Sequence, residues 1–300
     1  MTNFKVWISS FRLRTLPLSI SGILIGSSFA YAEQSFNNTI FLLALLTTVS
    51  LQILSNLAND YGDGVKGTDN NNRIGPERAI QSGVITPDKM KSAIIVNVII
   101  LLVFISFLLY CSFKPDEYFN IIIFFFLGFI SIFSAIKYTV GNKAYGYYAL
   151  GDIFVFAFFG FLSTMGSYYL FTKSLDIILI LPSISVGLLS VGVLNLNNMR
   201  DLVSDKLSNK ITVAGKLGFD NAKKYHLLIL IISILISVIF IVSFYFTSIS
   251  LIVLLSYFPI VIHFKNVYQI KEPKLYNKEL KILAISTFMF SLIHSLIIIL

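Results

Sequence analysis

Long apolar runs, each about the length needed to cross a bilayer, constrain this chain more than any other feature. A hydrocarbon core about 30 Å thick requires roughly 20 mainly apolar residues in a helix. Because backbone polar groups in lipid must bond within their own element, the runs predict an all-α, nine-helix membrane bundle. The predicted spans are residues 15–32, 39–58, 91–112, 119–137, 152–171, 177–198, 225–246, 249–264 and 282–300.

The composition excludes a soluble domain of this length. Apolar residues make up 56% of the chain and charged residues 13%, which leaves too little polar surface for water. The net charge of +8 arises in short segments between the apolar runs. Membrane topology and anionic headgroups explain such segments, so we do not expect nucleic-acid binding.

The basic residues fall almost entirely on one side of the predicted bundle. Only Lys114 and Lys173 are left for the opposite side. Since lysine and arginine accumulate in cytoplasmic loops, we expect a multi-pass protein of the cell (inner) membrane with a cytoplasmic N-terminus and an outward C-terminus. We also expect a single domain over residues 1–300, with cytoplasmic connections at about 59–90 and 199–224 capping an active site.

Two polar clusters follow the second and the sixth span, on the predicted cytoplasmic side. In the first, Asn56, Asn59, Asp60 and Asp63 are three or four residues apart, and Asp69 follows. The second contains residues spaced at four and four, which are Asn197, Asp201 and Asp205. On helices, both spacings place the side chains on one face.

Carboxylate and amide oxygens at the ends of two helices are suited to Mg²⁺, a hard cation that usually keeps ligands from phosphate and water. The candidate ligands are Asn56, Asn59, Asp60, Asp63, Asp69, Asn197, Asp201 and Asp205, and the four most clearly catalytic are Asp60, Asp63, Asp201 and Asp205. Cations nearby could neutralise a diphosphate, namely Lys66, Arg73, Arg78, Arg200, Lys206 and Lys210. The alternative interpretation is that both clusters are ordinary solvated helix ends. This interpretation is disfavoured because the two clusters have similar spacing and lie on the same side of the membrane.

These motifs resemble the UbiA superfamily of intramembrane prenyltransferases over nearly the whole chain, and within it the branch that acts on 1,4-dihydroxy-2-naphthoate. The first cluster is similar to the branch's NDYxDxxxGxD motif followed by RIGP, and the second to its later aspartate motif. The segments RLRTLP, from Arg12, and YTVGNKAYGYYALGDIFVFAFFG, from Tyr138, also look like family signatures. A departure is Ile211, where the family usually has an arginine.

The resemblance implies transfer of a polyprenyl chain from its diphosphate to an aromatic acid, with Mg²⁺ as cofactor. For the naphthoate acceptor it implies loss of carbon dioxide, which makes a dedicated strong base unnecessary. Tyr138 is a candidate for the diphosphate site, and Phe156, Phe158 and Phe159 could stabilise an allylic cation. Candidates for binding the acceptor's carboxylate are Arg12, Lys137 and Lys143.

Other functions fit the sequence less well. Within the superfamily the acceptor could be 4-hydroxybenzoate or homogentisate, although the spacing between Asp63 and Asp69 disfavours the former. A transporter would place its charges near the bilayer midplane, and a CDP-alcohol phosphotransferase would carry a DGxxAR pattern. The histidines have no metal-ligand spacing, so we expect a buried, hydrogen-bonded His294 and interfacial His226 and His263.

Overall fold

The computed structural model describes residues 3–69 and 74–300, and nine helices in these ranges are long and apolar enough to cross a membrane. Apart from a β-bridge between Tyr148 and Ile211, regular structure in the described residues is helical. The predicted all-α class and helix number are confirmed. The spanning helices are α1 (Leu16–Ala32), α2 (Asn38–Val65), α3 (Pro87–Ser112), α4 (Tyr118–Lys137), α5 (Gly151–Thr172), α6 (Ile177–Arg200), α7 (Val213–Phe244), α8 (Ile249–Gln269) and α9 (Pro273–Ile299).

A break at Arg12 divides the first apolar helix. Asn3–Phe11 form a short helix, Arg12 takes a left-handed conformation with φ of 48°, and α1 follows after a turn of 3-10 helix. Pro17 lies in the first turn of α1, where its missing N–H is not needed. The break turns the chain so that the Arg12 side chain reaches the end of α2.

Several helices continue beyond the predicted apolar spans, among them α2 and α7. The 28 residues of α2 correspond to about 42 Å at 1.5 Å per residue, more than a core of about 30 Å. Helix α7 begins at Val213 and contains a kink at Gly218, whose φ is 74°. The connections are therefore shorter than the predicted stretches 59–90 and 199–224, because polar residues continue the helices after the hydropathy falls.

Helices α1, α6 and α9 form the centre of the bundle. They are the most buried of the spanning helices, and each contacts the other two. Helices α3 and α4 lie outside, with large apolar side chains such as Ile99, Phe126 and Phe129 exposed. Apolar side chains directed outward are expected where the surrounding solvent is lipid.

Helix α5 contains a π-helical stretch, Phe156–Gly166, which the sequence pattern does not predict. This stretch packs against both α1 and α6. A Cβ added at Gly26 would lie 2.3 Å from the backbone oxygen of Thr164, and one at Gly160 would lie 2.6 Å from that of Ser183. The close approaches thus depend on small residues, as is common between membrane helices.

Two buried polar networks join α7, α8 and α9, and they correct the expected interfacial positions of His226 and His263. Both rings are fully buried, with 3.0 Å between their Nε2 atoms, and His263 Nδ1 lies 2.6 Å from Glu279 Oε2. The hydropathy of the surrounding helices does not reveal such pairing. His294 is buried and hydrogen-bonded, as expected, with its Nε2 2.5 Å from Ser237 Oγ.

We expect Gly26→Ala to destabilise the protein, because the new Cβ would overlap the Thr164 carbonyl oxygen. Overpacking of this kind costs about 1–3 kcal/mol, which should lower the thermal unfolding midpoint in detergent. The matched control is Gly166→Ala, whose Cβ would meet only the flexible end of Leu162, at 3.2 Å. Equal midpoints for the two variants would contradict the close approach of α1 and α5.

Candidate active site

The first polar cluster lies on the last turns of α2. Asp60, Asp63 and Asp69 are buried, and the side chains of Asn56 and Asn59 lie on the same turns. After the helix ends, the chain turns back, and the N–H of Asp69 donates to the carbonyl oxygen of Asp63 at 3.3 Å. The structure therefore brings the five predicted side chains to one end of α2.

Two arginines from outside α2 hold the Asp60 carboxylate. Arg12 Nη2 donates to Asp60 Oδ1 at 2.5 Å, and Arg78 Nη1 donates to the same oxygen. Arg78 Nε also lies 3.5 Å from Asp69 Oδ2. The segment before α1 and the connection between α2 and α3 are thereby attached to the first cluster.

The second cluster is organised by a buried arginine. Arg200, 1% exposed, donates from Nε and Nη2 to the two carboxylate oxygens of Asp201. It also donates to Asn197 Oδ1 at 2.8 Å and to Asn277 Oδ1, on α9, at 2.9 Å. The guanidinium of Arg200 is thus enclosed and engaged by Asp201, Asn197 and Asn277, and its role in binding diphosphate stays a prediction.

Lys210 stands between the two clusters. Its Nζ lies 3.9 Å from Asp63 Oδ2 and 3.6 Å from Asp205 Oδ1. Burial alone lowers the pKa of the Lys210 ammonium, but Asp63 and Asp205 outweigh burial and raise that pKa above its ordinary value. Burial raises the pKa of the Asp205 carboxyl to about 6, and the Lys210 charge opposes this shift. The two acidic faces therefore meet across one ammonium group.

Tyr147, in the connection between α4 and α5, is a site residue that the sequence analysis missed. Its hydroxyl donates to Asp63 Oδ1 at 2.8 Å, and Lys66 Nζ lies 3.9 Å from its ring centroid. Burial, and then the Asp63 charge, raise the pKa of the Tyr147 hydroxyl above its ordinary value. Only its place inside a family signature could have indicated it, since no spacing relates it to α2.

Ile211 occupies the position where the family usually has arginine. Its N–H donates to the carbonyl oxygen of Tyr147 at 3.2 Å, and its own carbonyl oxygen accepts from the N–H of Ala149 at 2.8 Å. The Ile211 side chain is exposed. This residue connects two loops of the site through its backbone and contributes no charge.

A cavity of about 360 Å³ begins at the clusters and continues among the helices. Its polar end is lined by residues of both clusters and by nearby cations, namely Arg12, Arg14, Asn56, Asn59, Asp63, Arg78, Asn197, Lys210 and Lys281. The rest is mainly apolar, with side chains such as Ile105, Leu127 and Phe154. The cavity thus suits a ligand with one charged and one hydrocarbon end.

Aromatic side chains from α5 and the preceding loop face this cavity. Tyr138, Phe158 and Phe159 are among its lining residues. Phe156 is not; it packs against α6, where a Cβ on Gly187 would lie 2.7 Å from its ring. Burial raises the pKa of the Tyr138 hydroxyl to about 12, so this hydroxyl keeps its proton at neutral pH.

Several predicted cations lie outside the cavity lining. Lys137 and Lys143, candidates for the acceptor's carboxylate, are exposed, and so are Lys66 and Lys206. Their loop and helix-end positions hold them at the surface. Arg73 lies outside the described residues. Of the predicted cations, the structure brings Arg12, Arg78 and Lys210 to the cavity.

The oxygen atoms of the two clusters fit a hard cation that takes few protein ligands. In the part of the chain that the structure describes, Asn59 Oδ1 and Asp205 Oδ2 are buried without a hydrogen-bond partner. Within the same residues, no group of three or more His, Cys, Asp or Glu side chains has metal-binding geometry. A site of this kind matches Mg²⁺, which completes its coordination with phosphate and water.

A membrane bundle whose two acidic clusters meet at the polar end of an apolar cavity is the architecture of an intramembrane prenyltransferase. The chain belongs to the UbiA prenyltransferase family, whose model matches residues 19–292. It is 48% identical over 222 residues to 1,4-dihydroxy-2-naphthoate octaprenyltransferase from Escherichia coli (strain K12), covering 74% of this chain and 71% of that one.

Further relatives agree with this family. The chain is 44% identical to the Haemophilus influenzae protein of the same name, over 77% of this chain and 75% of that one. Among solved structures, a UbiA homolog from Archaeoglobus fulgidus bound to DMAPP and Mg²⁺ superposes with a TM-score of 0.68. That match covers 98% of this chain and 99% of the homolog at 13% identity, so the likeness concerns the fold.

We expect Arg200→Met to unfold at a lower temperature, since it removes the guanidinium that pairs with the buried Asp201 carboxylate. Breaking a buried pair costs about 3–5 kcal/mol. The control Lys206→Met removes an exposed cation six residues later and should change stability by less than about 0.5 kcal/mol. An Arg200→Met protein as stable as the control would contradict the positioning role and favour direct contact with diphosphate.

Proposed function

We propose that this protein transfers a polyprenyl chain from polyprenyl diphosphate to 1,4-dihydroxy-2-naphthoate. Carbon dioxide and diphosphate are released, and the product is the quinol form of demethylmenaquinone, a precursor in menaquinone synthesis. The 48% identity to the Escherichia coli naphthoate prenyltransferase is the observation that carries this proposal. The position of both acidic clusters at the polar end of an apolar cavity supports the same reaction class.

The four candidate catalytic aspartates, Asp60, Asp63, Asp201 and Asp205, would hold Mg²⁺ and diphosphate together. Asn59 and Asp63 offer oxygen atoms in the cavity lining, and Asp205 lies beside Lys210, which also lines the cavity. Asp60 and Asp201 are held by arginines. Bound Mg²⁺ supplies charge neutralisation of the departing diphosphate. A UbiA homolog from Archaeoglobus fulgidus, solved with DMAPP and Mg²⁺, supports this assignment.

Side chains of the protein position the diphosphate and neutralise its negative charge. Lys210 lies between the clusters, and Arg78 lines the cavity beside them. Tyr138, protonated at neutral pH, can donate a hydrogen bond to a phosphate oxygen. Donors placed where charge develops in the transition state lower the barrier to breaking the carbon–oxygen bond.

The apolar part of the cavity would hold the hydrocarbon chain and exclude water. When the carbon–oxygen bond breaks, the allylic fragment becomes cationic. A water molecule beside this cation would react with it in place of the aromatic acceptor and give a prenyl alcohol. Phe154, Phe158 and Phe159 line this part of the cavity. Their ring faces can stabilise a cation electrostatically.

The acceptor's own carboxylate removes the need for a strong base. The ring carbon that carries the carboxylate forms the new bond to the prenyl carbon, and carbon dioxide then leaves with restoration of the aromatic ring. The electron pair of the broken carbon–carboxylate bond returns to the ring, so no ring proton has to be abstracted. The chain's contribution is therefore binding and orientation.

The charge distribution supports an active site that faces the cytoplasm. The polar end of the cavity lies with the connections that carry nearly all of the basic residues, and only Lys114 and Lys173 belong to the other side. By the positive-inside rule, the N-terminus lies in the cytoplasm and the C-terminus outside, in the inner membrane. The loops after α2 and α6 then cap the site from the cytoplasm.

The test of the acceptor is a panel assay with membranes that contain the protein. We expect prenylation of 1,4-dihydroxy-2-naphthoate in the presence of polyprenyl diphosphate and Mg²⁺, with product identified by mass, and no product after chelation of Mg²⁺. The same membranes receive 4-hydroxybenzoate and homogentisate side by side. A product from either of these, and none from naphthoate, would replace the proposed acceptor and keep the reaction class.

Asp60→Asn and Asp201→Asn should each reduce turnover at least about 100-fold, because charge stabilisation of a leaving group contributes on that scale. The matched control is Asp88→Asn, which removes the same charge from an exposed residue at the start of α3. Thermal unfolding of each variant shows whether the fold is retained. Folded variants with wild-type turnover would mean that the clusters are ordinary polar helix ends.

A further inference from the structure

The cations that line the cavity differ in whether a carboxylate already holds them. Arg12 and Arg78 bind Asp60, and Lys210 lies between two aspartates. Lys281 also lines the cavity, yet it makes no hydrogen bond or ion pair with any residue that the structure describes. Its charge is therefore available to an anionic ligand.

Two buried contacts fix the orientation of the helix turn that carries Lys281. Asn277 accepts a hydrogen bond from Arg200 at 2.9 Å, and Glu279 accepts one from Asn266 at 3.1 Å and lies beside His263. These contacts hold α9 against α6 and α8 on either side of its axis. Lys281, four residues after Asn277, lies on nearly the same face of α9 and lines the cavity.

The position of Lys281 relates it to the second acidic cluster. It lies four residues after Asn277, one helical turn or about 6 Å further along α9. Asn277 is bonded to Arg200, which holds Asp201. Lys281 thus stands one turn beyond the residue that contacts Arg200, and it lines the same cavity as Asn197. An aromatic ring here could lie beside the reacting end of a prenyl diphosphate.

We propose that Lys281 binds the carboxylate of the aromatic acceptor, an inference that rests on the proposed function. The acceptor needs a cation near the diphosphate site that is not committed to an aspartate, and Lys281 meets both conditions. It replaces Lys137 and Lys143, which do not line the cavity, whereas the exposed Lys281 does, and it replaces Arg12, which Asp60 holds. A lysine interacts as a flexible point charge and can orient the carboxylate before the ring is prenylated.

The kinetic test compares Lys281→Ala with Lys278→Ala, which removes the same charge from an exposed residue of the same turn that does not line the cavity. In Lys281→Ala we expect the KM for naphthoate to rise at least about tenfold, the scale of a lost charge-assisted hydrogen bond. The KM for prenyl diphosphate should change less than about twofold. Lys281→Arg, which keeps the charge, should restore most of the affinity.

A matched pair of ligands tests the same contact without turnover. 1-Hydroxy-2-naphthoate and 1-naphthol differ only in the carboxylate, and their dissociation constants are measured on wild type, Lys281→Ala and Lys278→Ala. We expect Lys281→Ala to weaken binding of 1-hydroxy-2-naphthoate at least about tenfold and to leave 1-naphthol unchanged. Equal effects on the two ligands, or the same effect in Lys278→Ala, would overturn the assignment.

The two proposals fail in different ways. If wild-type protein does not prenylate naphthoate while it prenylates another aromatic acid, the proposed acceptor is wrong, and the ligand pair still tests Lys281 as a carboxylate site. If wild type prenylates naphthoate and Lys281→Ala keeps its KM, the proposed function stands and the role of Lys281 is overturned.

Discussion

Charge balance among buried aspartates at one end of the bundle is the constraint on which the rest of the structure depends. Asp60, Asp63, Asp201 and Asp205 are all buried, and a buried carboxylate is costly unless a cation or hydrogen bonds compensate it. The compensating cations come from four separate segments, namely Arg12, Arg78, Arg200 and Lys210. Their ion pairs attach the connections to the helix ends and bring together two clusters that are distant in sequence.

This balance also separates the cations into two groups. Arg200 pairs with Asp201 and is enclosed, so its removal would weaken the compensation of a buried charge whatever ligand is present. Lys281 faces the cavity and compensates no aspartate, so its removal has little cost in the free protein. Substitution of Arg200 therefore lowers the stability of the protein, whereas substitution of Lys281 lowers its affinity for the ligand. A loss of activity alone would not distinguish them.

Sequence patterns predicted what depends on local spacing and missed what depends on tertiary contacts. Apolar length determined the number of spans, and three- or four-residue spacing brought Asn59 and Asp63 to one face. The extents of α2 and α7 were underestimated because hydropathy falls where a helix leaves the apolar core, although its backbone continues. The enclosed position of the Arg200 guanidinium involves a hydrogen bond to Asn277, which is 77 residues away in the sequence. Tyr147 likewise meets Asp63 only through the fold.

The buried networks that join α7 and α8 to α9 explain how two helices outside the cavity lining can help to define a ligand site. In lipid, apolar surface gives little drive for one helix to associate with another, so packing and interhelical hydrogen bonds determine their arrangement. The pair of His263 and Glu279 lies near the polar end of the cavity, and Ser237 with His294 lies deeper. Two contacts at different depths restrict both the tilt and the rotation of α9. Since rotation by one residue, about 100°, would turn Lys281 away from the cavity, the proposed acceptor contact depends on histidines that the ligand never touches.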